Sequence, residues 1–262
     1  MQSEFTFRGH TICIPPPAYP PGAAAFEHQR AMGIDQLQPS RSDARGKVSE
    51  GVNAAFLPSA TAYKVWPCAQ ALAEWLHASP DAPKLDGRNV LELGAGCGLA
   101  GLSAWCGGAT HVCLTDLPEN LERLRDVVKQ NKATANITVT ALDWTQELLP
   151  QPVTTTNWDV ILAADCVFWP GLFAPLLATL GGLHMQSNSR INPCRIILCL
   201  TDRLGRGRQF LDQASDAGWI IRPLCTHEQP KGLQAGSLEM MRRESCLLYE
   251  FIFGSSKYLS GS

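Results

Sequence analysis

A chain of 262 residues is long enough for one large or two small domains around a real hydrophobic core. Its 22 Lys and Arg are balanced by 24 Asp and Glu, so no basic field runs along it to hold nucleic acid. No apolar run approaches the roughly 18 residues of a membrane span, and the start MQSEFTFRGH lacks the basic and apolar parts of a secretory leader.

The ten Cys are scattered with no C-x-x-C pair, which leaves zinc and thioredoxin-type chemistry without their spacing. Buried free thiols are the expectation, and with them a reducing compartment: the cytoplasm, with the nucleus as the alternative. The six His form no H-x-H or H-E-x-x-H group, so no metal site is expected.

In chain order, residues 4–14, EFTFRGHTICI, alternate like a short hairpin turning at Arg8-Gly9. Residues 15–52 are rich in Pro, Ala, Ser and charge and read as loop, with a short helix at 24–32. This divides the chain into an N-terminal hairpin and extension over 1–59 and a main domain over 60–262. Pro67 suits a first helical position, and Ala71, Leu72, Trp75 and Leu76 fall on one face of a helix over 67–77. Strands and helices then alternate. Strands are predicted near 89–93, 111–115, 137–141, 158–164, 194–201, 219–225 and 245–253, and helices near 99–106, 118–131, 171–181 and 206–217. Segment 228–239 carries no clear helical pattern, which suits a final antiparallel hairpin. The predicted fold is α/β: a Rossmann-like, doubly wound, seven-stranded sheet, mostly parallel with the last strand antiparallel, plus the small N-terminal β-hairpin.

The stretch RNVLELGAGCGLAG at 88–101 organises this pattern. An apolar strand runs into Gly94-Ala95-Gly96-Cys97-Gly98 and then a small-residue helix start. Glycines let backbone approach a ligand closely, and the N–H groups of the helix start are expected to be free for an anionic group. Asp116 ends the second strand, 24 residues after Glu92 and 20 after Gly96. An acid at that strand end can accept the hydroxyls of a ribose, or it can cap the next turn ahead of Pro118. Gly96 to Gly101 also satisfies G-x-G-x-x-G, so a dinucleotide such as NAD competes. Glu92 argues against it, because a strand-end carboxylate repels a pyrophosphate and suits a cofactor that carries an ammonium group.

Asp143-Trp144 follows the third strand; the acid can accept from an exocyclic amine and the ring can cover an adenine. Asp165-Cys166-Val167-Phe168-Trp169-Pro170 follows the fourth. There an acid beside aromatic walls can attract and orient an amine. Cys166 has no neighbouring His to activate it. Arg195, Arg203, Arg206 and Arg208 group around the exit of the fifth strand and read as a solvated loop and helix start.

Together these residues resemble a seven-strand, S-adenosylmethionine-dependent methyltransferase, and more narrowly the non-SET protein-lysine methyltransferase group often called methyltransferase family 16. ELGAGCGLAG is similar to motif I, Thr115-Asp116 to the ribose-binding acid, Leu142-Asp143-Trp144 to the adenine-holding segment, and Trp66 to the group's Trp ahead of the helix, near the cofactor. After the fourth strand the group carries an acid, two residues and usually Tyr; here Asp165 matches, but Phe168 keeps the ring without the hydroxyl. The resemblance implies cofactor contacts from Trp66, Glu92, Gly94, Ala95, Gly96, Gly98, Asp116, Leu117, Asp143, Trp144 and Ala164, with Asp165 and Phe168 as the catalytic residues. It implies methyl transfer from S-adenosylmethionine to a protein nitrogen, a lysine ε-amine first, by a monomer. Other acceptors (protein histidine, a small molecule, nucleic acid), an NAD-dependent oxidoreductase and a catalytically silent cofactor-binding protein are the alternatives. In-line transfer asks for alignment at roughly 3–3.5 Å. A lysine, with a free pKa of about 10.4, must also lose its proton first.

Overall fold

The structure, a computed structural model, describes residues 2–16, 62, 64–187, 193–225 and 235–253. The helix expected at 24–32, and the long segment beyond Pro16, lie outside these residues.

Strands β1 (Ser3–Phe7) and β2 (His10–Ile14) form the expected hairpin. Its two-residue turn has positive φ at both Arg8 (47°) and Gly9 (80°), the twist that matches paired antiparallel strands. The main sheet contains β3 (Asn89–Leu93), β4 (His111–Asp116), β5 (Ile137–Ala141), β6 (Val160–Ala164), β7 (Arg195–Thr201), β8 (Trp219–Cys225) and β9 (Cys246–Phe253) in the order β5-β4-β3-β6-β7-β9-β8. The pairs from β5 to β7 are parallel, and β9 runs antiparallel to both β7 and β8. The strand limits agree with the predicted ones to within two residues.

Both faces of the sheet are covered. Val90, Val112, Leu114, Val160 and Leu162 point to one side, where they pack with α1 (Pro67–Ala78), α2 (Leu99–Cys106), α3 (Leu121–Gln130) and the hairpin. Leu91, Leu93, Ile161, Ala163 and Ile196 point to the other, against α5 (Phe173–Ser187) and α6 (Arg206–Asp216). The one-turn α4 (Gln151–Thr154) precedes β6. From α5 alone, Phe173, Leu176, Leu177, Leu180 and Leu183 are buried, each contributing roughly 1.5–3 kcal/mol of transfer free energy. Such two-sided burial explains why the central strands read as continuous apolar runs rather than alternating ones.

Three helices differ from expectation. Segment 228–239 was read as lacking a helix, yet α7 (Ala235–Glu244) connects β8 to β9. Its sequence AGSLEMMRRE is weakly amphipathic, so tertiary packing forms the helix where pattern gives little signal. The helix predicted over 118–131 is a 3₁₀ turn at Pro118–Asn120 followed by α3. Helix α5 also runs six residues further than its predicted end at 181.

The hairpin is attached to the domain by specific polar contacts. Asn131 Oδ1 accepts from Cys13 N (2.7 Å), and its Nδ2 donates to the carbonyls of Cys13 and Val127 (both 2.8 Å). Arg8 also reaches the Gly107 carbonyl, and the Phe7 ring stacks on His77 at 4.8 Å. An Asn131→Ala substitution strands these part-buried groups and is expected to cost about 1–2 kcal/mol. Urea unfolding measures the loss, and hydrogen exchange should rise first at Ile12–Ile14.

Candidate active site

The loops after β3 and β6 leave the sheet toward opposite faces, because α2 covers one side and α5 the other. Where neighbouring connections diverge in this way, an open α/β sheet has its binding crevice. Gly94 to Gly98 form one wall, Asp165 to Pro170 the other, and Asp116 and Asp143 stand at or just beyond the ends of β4 and β5. The strand register therefore brings together the acids and glycines expected of the site.

Gly94, Gly96 and Gly98 all have positive φ. A side chain at Gly94 would meet Cys166 Sγ at 2.8 Å and the Trp144 ring at 3.1 Å. Glycine is thus required there by backbone conformation and by contact together. The loop is held by oxygens of the protein itself. Ala95 N donates to the Thr115 carbonyl (2.9 Å), Gly96 N to Asp116 Oδ2 (2.7 Å) and Gly98 N to the Ala95 carbonyl (2.6 Å).

Glu92 is buried under the first turn of α2, 1 % exposed, and its Oε2 accepts from Gly101 N at 2.8 Å. A carboxylate at a helix start satisfies otherwise unpaired N–H groups and meets the positive end of the helix dipole. The expectation that this helix start is open to an anionic ligand is therefore corrected: an acid of the chain is already bonded there. Gly101 must be small for the same reason, since a Cβ would lie 2.2 Å from Leu114 Cδ2 and 2.7 Å from that Oε2. Burial pushes the Glu92 carboxyl up to about 8, against the bonds from Gly101 and Ala100, and nearby Asp116 adds to the rise.

Asp116 is both a cap and a candidate ribose acceptor. Its Oδ1 accepts from Leu117 N (2.8 Å) and Asn120 Nδ2 (2.6 Å) in addition to the Gly96 bond. Burial raises its carboxyl, and the bonds from Asn120, Gly96 and Leu117 oppose the rise. A carboxylate offers about four lone-pair sites, so one remains for a ligand hydroxyl. Beside it Asn120 Oδ1 is buried with no protein partner, as is Trp144 Nε1 near Gly94. A buried acceptor and a buried donor left open at one crevice are positions a polar ligand would fill. Asp143 is more exposed and closes an Asx turn, accepting from Thr145 N (2.9 Å) and Thr145 Oγ1 (2.7 Å). Slight burial works against it, but the Thr145 and Gln146 bonds hold its carboxyl below the usual range.

Ala164 ends β6, and the next residue, Asp165, has φ of 58° although it is not glycine. Its N still donates to the Cys199 carbonyl (2.9 Å), so the sheet holds the strained residue while its side chain turns into the site. The Asp165 side chain is 5 % exposed and its Oδ2 lies 3.4 Å from Arg203 Nη2. Burial raises its carboxyl, the Arg203 charge lowers it, and Cys246 raises it again. Behind it, Cys68 Sγ lies 3.1 Å from Thr201 Oγ1 and 3.5 Å from Cys246 Sγ. Cys166 donates to the Leu93 carbonyl, and burial with the neighbouring acids keeps its thiol well above the ordinary value, a wall rather than a nucleophile.

Arg203 was read as part of a solvated cluster, and the structure divides that cluster. Arg195 is at the far end of β7, paired with buried Glu250, whose other oxygen meets Arg222. Arg203 instead lies between Asp165 and the Trp66 ring, with Cζ 5.0 Å from the ring centroid. Lys64 approaches the same ring at 4.7 Å. Arg206 donates to the Phe168 carbonyl at 2.8 Å and so ties the two mouth loops together. Arg203 was legible in principle, since Thr201-Asp202-Arg203 leaves β7 at the same sheet edge that singled out the acids. Asn120 and Cys68 carried no such signal, as each is defined only by contacts distant in the chain or across a turn.

The site is thus a glycine-walled crevice at the switch point of a seven-stranded sheet, lined by acids and with its loop N–H groups engaged internally. Its acids make it a site of negative character, and its bonded loop N–H groups are engaged by the protein's own oxygens. Residues 57–217 match the family model described as lysine methyltransferase, and the chain belongs to that family. It is 34 % identical over 153 residues to bovine protein-lysine methyltransferase METTL21E, covering 57 % of this chain and 50 % of the relative. Mouse protein N-lysine methyltransferase METTL21A is 35 % identical over 150 residues (56 % and 64 % covered). Human histone-arginine methyltransferase METTL23 is 38 % identical over 136 residues (48 % and 65 %). The chain spans about half to two thirds of the length of these relatives. Among the described residues no group of three or more His, Cys, Asp and Glu is placed to hold a metal, and no helix is long and apolar enough to cross a membrane.

Glu92 gives the site a pH signature. Unfolded, its carboxyl loses a proton near 4.5, whereas the folded chain keeps it up to about 8. The folded state therefore binds the extra proton across that window, and stability falls as pH rises through it. Glu92→Gln keeps the shape and removes the charge, so the stability curve from urea unfolding at pH 5 to 8 should flatten, with the variant gaining on the wild type toward pH 8.

Proposed function

We propose that this chain transfers a methyl group from S-adenosylmethionine to a protein nitrogen, a lysine ε-amine first. The observation that carries the reading is the crevice itself: Asp116, Asp143 and Asp165 stand at or just beyond three parallel strand ends around a glycine loop in which the N–H groups of Ala95, Gly96 and Gly98 already have partners. Such a site favours a ligand with positive charge and offers no backbone cradle to phosphate. Family membership, and relatives named for lysine and arginine methylation of proteins, support the same reaction.

The residues present fit the cofactor. Asp116, with Asn120 beside it, would receive the ribose hydroxyls; Asp143 and Trp144 would meet the adenine; the Gly94–Gly98 loop would leave room for the methionine portion; Ala95, Leu117 and Ala164 flank these contacts. Glu92 acts through α2, fixing the loop rather than touching the ligand. Trp66 supports the acceptor side through Arg203. The bound cofactor supplies an already activated methyl group, so the protein's task is alignment and exclusion of water.

On the acceptor side, Asp165 orients the nitrogen and Phe168 with Trp169 walls its approach. Phe168 lacks a hydroxyl, and the group of this residue that is held is its carbonyl, fixed by Arg206. Walling therefore rests on the rings and on the tied loops. Trp169, 37 % exposed, and Leu204, 68 % exposed, border the mouth, where apolar surface suits a protein partner.

Calorimetry should give binding of S-adenosylhomocysteine and none of NAD, and NAD binding alone would overturn the reading. Asp116→Asn is expected to weaken S-adenosylhomocysteine about tenfold or more, the effect of one charged hydrogen bond. Labelled methyl transfer into a cell lysate should be sensitive to protease and insensitive to nuclease, and hydrolysis of the product should release methylated lysine. Asp165→Asn should bind S-adenosylhomocysteine like the wild type while losing most turnover; full turnover would remove Asp165 from its role.

A further inference from the structure

The acceptor side holds a feature that amine transfer alone does not ask for. An acid that only had to attract an ammonium group would work best without a competitor. Instead Arg203 Nη2 is 3.4 Å from Asp165 Oδ2, and its guanidinium is steadied from behind by the Trp66 ring at 5.0 Å. The loop carrying Arg203 is itself strained, with φ of 56° at Leu204 and 74° at Gly205. Strain of this kind persists where surrounding contacts determine the geometry, and here the outlier directly follows the arginine.

We infer that Arg203 is a positioning residue that cancels the Asp165 charge at the acceptor pocket, so that the incoming amine enters uncharged instead of as an ammonium paired with the acid. This rests on the lysine methyltransferase reading and deepens it. A lone carboxylate would stabilise the ammonium form of a lysine and oppose the proton loss that methylation requires. A carboxylate neutralised by a fixed guanidinium keeps its acceptor lone pairs, so it can orient a neutral N–H, without the net charge that would hold the proton on. The proton leaves to solvent before the amine enters. The amine's lone pair then forms the new nitrogen–carbon bond as the carbon–sulfur bond breaks, and the resulting ammonium, which meets no net negative charge at the paired Asp165 and Arg203, loses its proton to solvent as the product leaves.

Other charges around Asp165 do not substitute for Arg203. From α1 and β9 come the thiols of Cys68 and Cys246, with Cys199 of β7 beside them, and burial pushes Cys68 and Cys199 up so that they remain protonated. Cys246 differs from the other two: the bonds from Cys199 and Cys68 pull its thiol down, its negative charge raises Asp165, and Arg203 lowers both. Lys64 is on the Trp66 ring. Glu92 and Asp116 act on the neighbouring Cys166. Within this set Arg203 is the cation paired with the Asp165 carboxylate.

The test compares wild type, Arg203→Gln and Arg203→Lys from pH 7 to 10, following kcat, which reports ionisation within the enzyme–acceptor complex, for methyl incorporation into the lysate protein that the wild type labels most strongly. Loss of Arg203 should move the rising limb of the profile about one unit to higher pH, so that Arg203→Gln is about tenfold slow at pH 7.5 and recovers toward wild type near pH 10. Arg203→Lys, which restores the charge without the planar stack, should return most of the shift. Thermal melts establish that both variants fold. A profile unmoved in pH, or a variant faster than wild type at neutral pH because a plug has been removed from Asp165, overturns the inference while leaving methyl transfer intact. A wild-type chain that labels no protein at all overturns the reading on which it rests, and the inference with it.

Discussion

Two carboxylate-to-backbone hydrogen bonds hold the centre of this molecule. Glu92 on β3 takes the N–H of Gly101 in the first turn of α2, and Asp116 on β4 takes the N–H of Gly96 in the loop between. Both bonds are short, and the buried Glu92 one is made by a carboxyl group that keeps its proton up to about pH 8 in the folded chain. One acid anchors the helix and the other anchors the glycines, so the crevice wall is rigid before any ligand arrives. The cost is visible in Glu92, whose burial opposes its ionisation. It is also what gives the site its sign, because N–H groups that serve internal acids cannot serve an external anion.

The rest of the architecture places chemistry around that wall. Parallel pairing from β5 through β7 lines up the strand ends, and apolar residues on both faces fix the register. A slip of one residue would exchange the faces and turn Glu92 from under α2 to the side of α5. At the β6 end, the backbone bond from Asp165 N to Cys199 extends the ladder one residue past the strand. Strain at Asp165 is thus supported by the sheet, and strain at Leu204 by the paired loop it adjoins. Rigid elements hold the acid and its arginine, while Trp169 and Leu204 next to them are exposed.

Much of this was legible in the chain. The strands announced themselves because burial on both sides leaves unbroken apolar runs, and Asp116, Asp143 and Asp165, at or just beyond the ends of β4, β5 and β6, could be assigned to one edge from topology alone. Glycine spacing marked the turn but not its electrostatics: GAGCG reads equally as a phosphate loop until the partners of each N–H are seen. Glu92 reads in the sequence as an acid set against a pyrophosphate, whereas its partner in the structure is the N–H of Gly101, the third residue of α2. Arg195 and Arg203 lie eight residues apart and looked like one cluster, because a strand's length separates its two ends by a distance that a sequence window compresses. Helix α7 was missed since its amphipathic signal is weak and its packing against α1 and β9 is non-local.

Methyl transfer from a sulfonium to an amine moves one positive charge from sulfur to nitrogen without creating or destroying it. Acids that attract that charge before transfer contribute chiefly to binding and little to the difference between ground and transition states. What remains for the protein to supply is geometry and a free lone pair on the acceptor. Geometry comes from the anchored glycine wall on one side and the Arg206-tied Phe168 loop on the other. The lone pair depends on the net charge the acceptor meets, and there the chain sets a guanidinium against its only crevice acid that has no backbone N–H bonded to it among the described contacts. Asp116 and Asp143 are balanced by backbone donors that carry no net charge, which leaves them attractive to a cation; Asp165 is balanced by a full positive charge, which leaves it a hydrogen-bond acceptor. On the proposed reading the same side-chain type would serve a cationic cofactor at two strand ends and a neutral amine at the third, and the difference lies in what each carboxylate is paired with.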